Sequence, residues 1–241
     1  MRNIIKKSLA VAALLMLPFS IVCSAKTDKD NINRYAHENS ELIQQPDSMR
    51  KVVFLGNSIT QFWRSKHPEF FTSNGFVGRG ISGQTSYQIL LRLRSDVIEL
   101  QPEAVVINIA INDIAENTHP YSEDNTMRNI MNMVELSRLH GIKVILTSLL
   151  PAKEIYWDRT IENVPQKVAA LNSRIRKYAA ENGIPFVDYH PLLAGDDGES
   201  LDPAYTEDGV HPTPAGYDVM EAAILPVVRN VCSTVGDKGK Q

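Results

Sequence analysis

The sequence predicts an α/β protein, a three-layer α/β/α sandwich whose parallel sheet has about five strands. One observation behind this prediction is a series of short apolar runs without polar alternation, which is typical of strands buried on both faces. A second is that amphipathic segments, with apolar residues three or four positions apart, separate these runs. Strands that alternate with helices favour a parallel sheet covered on both sides.

The elements follow in order along the chain. Five apolar runs predict the strands, at residues 52–55, 76–77, 105–109, 144–147 and 185–187. Four amphipathic segments predict helices, at residues 85–100, 127–141, 165–183 and 214–231. Thr85 or Ser86 can cap the first of these helices, Gly141 and Gly183 can end the next two, and Pro226 can kink the last.

The first 25 residues have the pattern of a secretory signal. A basic opening segment precedes an apolar core at residues 9–22, and small residues follow at Ser24 and Ala25. The core is short for a membrane span. We therefore expect an exported protein, periplasmic or extracellular, without a stable span after cleavage. A retained anchor helix is an alternative, and lipid attachment at Cys23 is a less favoured one.

Beyond the signal, the polar residues 26–50 predict a linker and an N-terminal helix. Residues 51–232 form the one predicted domain, and residues 233–241 a polar tail. The net charge of −3 and the 7% of scattered aromatic residues argue against a nucleic-acid partner. Cys23 and Cys232 are too few for a thiolate cluster, and signal cleavage leaves no disulfide. No spacing of ligating residues predicts a metal site.

Reactive side chains stand just after the predicted strands, where ligands bind in parallel α/β sheets. Ser58 follows the first strand in KVVFLGNSIT, Gly83 lies in GRGISGQTS, and Asn112 lies in AINDIAEN. Asp208 and His211 lie in YTEDGVHPTPAGY, before the last helix. Taken singly, each residue fits a plainer role, such as a helix cap, a turn glycine, an Asx turn or a surface histidine.

Together, these residues supply the parts of an acyl-transfer site. Asp208 and His211 are three apart, so the carboxylate can reach Nδ1 of the imidazole and leave Nε2 to take a proton from Ser58. The backbone N–H groups of Ser58 and Gly83 and the side-chain amide of Asn112 can donate to a tetrahedral oxyanion. The sequence therefore predicts a serine nucleophile, a His–Asp pair and an oxyanion hole.

In this order, the four blocks resemble those of the SGNH hydrolases, also called the GDSL esterase/lipase family, over about residues 51–228. The resemblance implies a flavodoxin-like fold, no cofactor, and activity as an esterase, lipase, thioesterase or carbohydrate O-acetylesterase. It implies that Ser58 is the nucleophile, that Gly83 and Asn112 are oxyanion donors, and that His211 is the general base with Asp208 as its acidic partner.

Two positions depart from the family pattern. The first block usually reads Gly-Asp-Ser, but here Asn57 replaces the aspartate. The third block usually has a glycine two residues before its asparagine, but here that residue is Ala110. The first change removes a charge beside the nucleophile, and the second adds a methyl group near the oxyanion pocket.

We expect a secreted serine esterase that hydrolyses short-chain carboxylic esters through an acyl-enzyme, with carbohydrate acetyl groups as the favoured substrates. Lysophospholipase or thioesterase activity is the alternative within the family. A non-catalytic ligand-binding or flavin- or nucleotide-binding module is the alternative from another class, because Gly78, Gly80 and Gly83 spell G-x-G-x-x-G. An α/β-hydrolase is disfavoured, because Thr60 stands where that motif needs glycine.

Five residues near the predicted catalytic loops are candidate substrate contacts. They are Asn57, Phe62, Trp63, Asp113 and Tyr205. The three aromatic rings among them are expected to stack on a sugar or to line an acyl pocket. The expected partner is a small-molecule or glycan ester rather than a nucleic acid, and the oligomeric state is left open.

Overall fold

Five parallel strands form a sheet in the order β2-β1-β3-β4-β5. The fold is that of a computed structural model, which describes residue 28 and residues 30–233. The strands are β1 Val52–Gly56, β2 Phe76–Gly80, β3 Ala104–Asn108, β4 Lys143–Thr147 and β5 Phe186–Val187. The predicted fold class is confirmed. The predicted signal with Cys23 and residues 234–241 of the predicted tail lie outside the described residues.

Helices cover the sheet in two groups. Helix α2 contacts both α3 and α9, and α6 contacts both α4 and α7. Strands β1, β2 and β3 are buried at every position, which explains why their sequences show no polar alternation. The helices are α1 Ala36–Leu42, α2 Ser58–Lys66, α3 Pro68–Asn74, α4 Ser86–Leu91, α5 Ile111–Ile114, α6 Glu123–Leu139, α7 Val164–Glu181, α8 His190–Leu193 and α9 Pro214–Ser233.

Local capping chemistry sets the ends of the helices near the site. Asn57 caps α2, since its side-chain oxygen accepts from the backbone N–H of Ile59 at 3.1 Å. Thr85 caps α4 in a capping box with Gln88, as the sequence predicts. Helix α3 ends at Gly75, whose φ of +66° turns the chain into β2.

Two of the differences from the sequence-based boundaries have a clear structural cause. Strand β2 continues past Val77 to Gly80, although glycine disfavours strands. The glycines are needed because α2 crosses β2 closely: a Cβ atom at Gly80 would meet the Gln61 nitrogen at 2.2 Å. The predicted helix at residues 85–100 is divided into α4 and a π-helical turn, Arg94–Ile98, since the chain leaves helical geometry at Arg92.

An aromatic cluster anchors α2 and α3 on β1. The Phe54 ring lies 5.3 to 5.9 Å, between ring centroids, from four other rings. They belong to Trp63, Phe70, Phe71 and Phe76. This rigid packing fixes the turn between β1 and α2. Within the described residues, no helix has the length and apolar character needed to cross a bilayer.

The strand order places a topological switch point between β1 and β3. Chain connections leave the two strands in opposite directions there, which opens a crevice at their carboxyl ends. Asn57 and Ser58 directly follow β1, and Asn112 follows β3 by four residues. The residues singled out in the sequence therefore lie at the edge of the sheet where doubly wound folds bind ligands.

Candidate active site

Ser58, His211 and Asp208 form a continuous hydrogen-bonded chain. The Ser58 Oγ lies 2.8 Å from Nε2 of His211, and Nδ1 of His211 lies 2.7 Å from Oδ2 of Asp208. The fold brings Ser58 and His211 together from 153 positions apart in the sequence. This geometry lets the imidazole accept the serine proton while the carboxylate stabilises the resulting imidazolium.

A tight loop before α9 holds the carboxylate in place. Oδ1 of Asp208 accepts the backbone N–H groups of Val210 at 2.9 Å and of His211 at 2.7 Å. The Thr206 hydroxyl spans the loop, donating to the carbonyl of His211 at 2.9 Å and accepting from Gly209 N–H at 3.0 Å. One carboxylate oxygen thus shapes the loop and the other orients the imidazole.

The same contacts set the charge state of Asp208. Partial burial raises the pKa of its carboxyl, but the backbone N–H and imidazole of His211 and the N–H of Val210 lower it by more. The net pKa is below its ordinary value. Asp208 is therefore a carboxylate at neutral pH, which is the form that a triad requires.

Ser58 is the first residue of α2, and 6% of its surface is exposed. Its backbone N–H makes no hydrogen bond to a described residue, as is typical of the first turn of a helix. The preceding Asn57 is fully buried, and its side-chain nitrogen has no hydrogen-bond partner among the described residues. Asn57 therefore acts as a helix cap beneath the serine, and the expectation that it contacts substrate is wrong because none of its surface is exposed.

The two predicted oxyanion donors lie on neighbouring loops. Gly83 is exposed with a φ of +79°, and its N–H bonds to no described residue. Asn112 is 1% exposed and donates one amide hydrogen to the carbonyl of Gln84 at 2.9 Å. Its second amide hydrogen remains available, because a primary amide has two donors. The bond to Gln84 connects Asn112 with the segment that carries Gly83.

A buried arginine supports this arrangement from below. Arg92 donates to the carbonyl of Gly56, the last residue of β1, at 2.7 Å and to that of Arg79, the penultimate residue of β2, at 2.9 Å. It also donates to the side-chain oxygen of Gln84 at 2.6 Å and pairs with Asp96 at 2.8 Å. Arg92 thus ties the ends of two strands to the loop that orients Asn112. Sequence reasoning did not find this residue.

The expectation that Asp113 contacts substrate is wrong. Asp113 is 4% exposed, and its carboxylate accepts the N–H and hydroxyl of Ser86 and the hydroxyl of Thr126. Burial raises the pKa of this carboxyl, although the three donors oppose the shift. The side chain turns away from the cleft and joins α5 to α4 and α6, so it positions Asn112 indirectly.

The expectation that Trp63 contacts substrate is also wrong, because Trp63 is 1% exposed and belongs to the core. Its ring stacks on Phe70 at 5.3 Å and on Tyr217 at 5.6 Å, which leaves no face for a substrate. Phe62, one position earlier, is partly buried and its ring lies 5.1 Å from that of His211. Phe62 and the partly exposed Tyr205 stay candidate contacts.

Two exposed rings near His211 were missed in the sequence. Tyr156 is 44% exposed and Trp157 38%, and their centroids lie 6.1 and 6.4 Å from the His211 ring. Both belong to the long connection between β4 and α7. The adjacent aromatics in the polar stretch EIYWDR were a usable signal, since large rings seldom stand in such loops without a contact to make.

A small cavity of about 10 Å³ adjoins the site, with room for about one water molecule. It is bordered by Asn57, by Ile59 next to Ser58, by Ile111 next to Asn112 and by Val210 next to His211. Most other lining side chains are apolar. The cavity can therefore take a group no larger than a methyl or a water molecule.

One group of side chains has the composition of a metal site. Ligand atoms of His67, Asp218 and Glu221 lie within 4.8 Å of one another. One oxygen of Glu221, however, already accepts from Trp63 Nε1 at 2.9 Å and lies 2.8 Å from His67 Nδ1. These hydrogen bonds fasten the α2–α3 turn to α9, which accounts for the cluster without an ion.

Comparison with known proteins identifies the family. The model of the GDSL-like Lipase/Acylhydrolase family matches residues 54–219. The chain belongs to this family. The family assignment made from Ser58, Gly83, Asn112 and His211 is thereby confirmed.

Solved structures from two Bacteroides species are similar to this acylhydrolase-family chain. A GDSL-like lipase from Bacteroides thetaiotaomicron VPI-5482 is 53% identical with a TM-score of 0.81, over 83% of this chain and 98% of that one. A candidate acylhydrolase from Bacteroides fragilis NCTC 9343 is 54% identical with a TM-score of 0.83, over 86% of this chain and 100% of that one.

Other similar proteins share less sequence identity with this chain. The uncharacterized lipoprotein YqeF of Bacillus subtilis (strain 168) is 28% identical over 172 residues, 61% of this chain and 71% of that protein. A variant of an acetylxylan esterase from Geobacillus stearothermophilus is 21% identical with a TM-score of 0.58, over 73% of this chain and 93% of that one. The second likeness concerns the fold alone.

Proposed function

We propose that the protein is a serine esterase that hydrolyses short-chain carboxylic esters through an acyl-enzyme. The observation that carries the proposal is the unbroken chain of hydrogen bonds from Asp208 through His211 to the Ser58 hydroxyl. A helix-capping role for Ser58 does not account for this chain, because the capping bond of α2 comes from Asn57.

In the first half of the reaction, Ser58 attacks the ester carbonyl while Nε2 of His211 takes the hydroxyl proton. Asp208 stabilises the imidazolium that forms. His211 then gives the proton to the oxygen of the leaving alcohol, and the C–O bond to that alcohol breaks. In the second half, His211 takes a proton from water, the hydroxide adds to the acyl carbon, and Ser58 leaves with the proton returned by His211.

The developing oxyanion is held by donors whose hydrogens are free. We assign this role to the backbone N–H groups of Ser58 and Gly83 and to the second amide hydrogen of Asn112. Ser58 lies at the N-terminus of α2, where the helix dipole adds positive potential. Removing one such donor typically costs about 100- to 1000-fold in kcat.

We infer a short acyl group from the small buried space close to the nucleophile. The cavity of about 10 Å³ is lined by chain neighbours of Ser58, Asn112 and His211 but by none of these three residues, and a space of this size is compatible with the methyl group of an acetyl ester. We infer that acetyl groups on carbohydrate are the preferred substrates. The acetylxylan esterase with the same fold is consistent with this choice, although the inference rests on the residues of this chain.

A nucleotide-binding role is disfavoured by the same structure. In such sites, the glycines of G-x-G-x-x-G let the pyrophosphate approach the backbone. Here helix α2 occupies the space over β2, and a Cβ atom at Gly80 would meet backbone atoms at 2.2 to 2.7 Å. The glycines at 78 and 80 therefore serve helix packing.

We further propose that the enzyme acts outside the cytoplasm. The proposal rests on the signal-like pattern of the first 25 residues and on the relative that is named a lipoprotein. Lipid attachment at Cys23 is the variant of this proposal that the relative favours. Mass spectrometry of the mature N-terminus would reveal either cleavage near Ala25 or a lipidated Cys23.

The test of the activity uses p-nitrophenyl esters from C2 to C12 with wild type and Ser58→Ala. We expect hydrolysis that falls steeply beyond C4 and that is abolished in the variant, whose thermal melting remains that of the wild type. Activity of Ser58→Ala within a few-fold of wild type would refute the serine mechanism. A rate maximum at C8 or longer would refute the short-acyl proposal and favour a lysophospholipase or thioesterase.

A further inference from the structure

The connection between β4 and α7 places two aromatic rings beside the catalytic imidazole. The Tyr156 and Trp157 rings meet edge to face at 4.9 Å and 83°. The Trp157 ring is inclined by only 27° to the His211 ring, with 6.4 Å between centroids. His211 would protonate the leaving alcohol, so these rings flank the place where the alcohol part of an ester must lie.

The Trp157 ring is held in position by a specific hydrogen bond. Its indole N–H donates to the side-chain oxygen of Asn117 at 3.0 Å. The nitrogen of the same amide donates to the carbonyl of Gly83 at 3.1 Å, and the backbone N–H of Asn117 donates to the carbonyl of Asn112 at 3.1 Å. Asn117 thus links the exposed ring to both loops of the proposed oxyanion hole.

This linkage distinguishes Trp157 from an incidental surface residue. Exposed large hydrophobic side chains elsewhere in the described part of the chain, such as Leu136 and Leu139 on α6, have no such tie. A ring that is both exposed and fixed is pre-organised, so a ligand that covers it loses little conformational entropy on binding. The arrangement is that of a binding surface.

The chemistry of this surface favours a neutral sugar ring. A pyranose presents C–H bonds on its face and hydroxyl groups around its edge, which matches an exposed aromatic face with polar neighbours. Tyr156 is 44% exposed, so its hydroxyl can meet a sugar hydroxyl. The polar residues Asp158 and Thr160 follow on the same loop.

An alkyl chain fits this place less well. It would need a continuous apolar groove, but the polar residues Asp158, Arg159 and Thr160 directly follow the two rings. The two rings meet edge to face, and so form a corner with flat walls and no channel between them. A quaternary ammonium group can also bind aromatic rings, so the experiment must distinguish it from a sugar ring.

We propose that Tyr156 and Trp157 bind the sugar ring of the alcohol part of an acetylated carbohydrate, with Asn117 as the positioning residue for Trp157. This inference rests on the esterase function proposed above. It assigns the specificity of the enzyme to a loop outside the four sequence blocks. Carbohydrate binding at these rings precedes the chemical step, so their loss raises KM more than it lowers kcat.

The experiment compares kcat/KM for peracetylated methyl β-D-xylopyranoside with that for ethyl acetate, both followed by titration of the acid released. We expect Trp157→Ala to lower the ratio of the two values about 3- to 10-fold, as suits the loss of one aromatic contact. Trp157→Phe keeps a ring but not the N–H to Asn117, and should restore part of the ratio. Leu139→Ala, which removes a side chain that is 79% exposed on α6, is the matched control and should leave the ratio unchanged.

Two results would overturn the proposal. One is an equal loss on both substrates in Trp157→Ala, which would place the ring in support of His211 instead of sugar binding. The other is a wild-type preference for acetylcholine over the acetylated sugar that disappears in Trp157→Ala, which would make the surface a cation site.

A binding measurement separates this inference from the esterase proposal. Trp63 and Trp157 are the two tryptophans of the chain, and Trp63 is buried. Methyl β-D-xylopyranoside without acetyl groups should change the tryptophan fluorescence of Ser58→Ala, but not that of Ser58→Ala/Trp157→Phe. If Ser58→Ala shows this change but the wild-type protein hydrolyses none of the esters, the proposed function alone is refuted. If the wild type is an active esterase, but Ser58→Ala shows no fluorescence change and Trp157→Ala keeps the substrate ratio of the wild type, the sugar-binding inference alone is refuted.

Discussion

The substitution Asp208→Asn tests the Ser58–His211–Asp208 triad more sharply than removal of the Asp208 side chain, because the surrounding hydrogen bonds determine how the amide must lie. Oδ1 of Asp208 accepts two backbone N–H groups, from Val210 and His211, and the Thr206 hydroxyl lies 3.4 Å away. The amide oxygen must take this place, since an NH₂ group there would face the backbone donors. The amide nitrogen then takes the place of Oδ2, at 2.7 Å from Nδ1 of His211.

In that position, the amide can only donate to Nδ1. The neutral imidazole is then held with its proton on Nε2, facing Ser58, and cannot act as the base. A triad histidine in the wrong tautomer typically loses about 10⁴-fold in kcat, which corresponds to about 5.5 kcal/mol of transition-state stabilisation. We expect a loss of this size, with the Oδ1 contacts and hence the loop preserved.

The assay is kcat/KM on p-nitrophenyl acetate, with the melting temperature as the measure of folding. Asp208→Ala is the comparison, because it removes the hydrogen bond to Nδ1 together with the loop contacts of Oδ1, and it should therefore melt at a lower temperature than Asp208→Asn. An Asn variant that keeps more than about a tenth of wild-type activity would refute the tautomer argument. So would an Asn variant that unfolds, since the loop contacts would then not have been preserved.

Three further predictions concern the frame around the site. Arg92→Met leaves Asp96 as an unpaired buried charge, which should lower the free energy of unfolding by about 3–5 kcal/mol and the melting temperature by about 6–20 °C. The control Arg94→Met, at an exposed neighbouring position, should change the melting temperature by no more than about 2 °C. Equal shifts in the two variants would contradict a stabilising role for the hydrogen bonds of Arg92. Gly83→Ala, at a φ of +79°, should cost about 1–2 kcal/mol of stability and about 10- to 100-fold in kcat. Gly141→Ala, at +75° just after the C-terminal end of α6, should cost the same stability with kcat intact, and a kcat loss in both variants would argue against an oxyanion role for Gly83. Burial raises the pKa of the Glu38 carboxyl, but Arg64 and Arg79 lower this pKa by more. The ionised carboxylate therefore stabilises the fold above pH 4.5, and this stabilisation disappears as the pH falls through the lowered pKa. The melting-temperature difference between wild type and Glu38→Gln should be largest near pH 7, and a difference that grows towards pH 3 would contradict this sign.

Local chemistry made part of the site predictable. The three-residue spacing of Asp208 and His211 allowed only a short contact on one turn, and the structure has it at 2.7 Å. Ser58 stood after an apolar run that could only be a buried strand. The parallel sheet then fixed the edge at which such residues meet.

Side-chain direction was harder to predict than position in the chain. Trp63 and Asp113 lie within five residues of Ser58 or Asn112, yet both point into the protein. Trp63 is four positions after Ile59 and shares its buried helical stripe, which periodicity could have shown. Asp113 could not have been assigned in this way, because its partner Ser86 is 27 residues away.

The sequence by itself determined the fold class, the family and the chemical types gathered at the strand ends, since these depend on local periodicity and on short motifs. Only the tertiary structure decided which rings reach His211 and which side chains hold the loops that carry Gly83 and Asn112. Trp157, Asn117 and Gly83 are brought together from three separate connections of the sheet. Contacts of this kind follow from strand order and loop packing, and no pattern within a single segment encodes them.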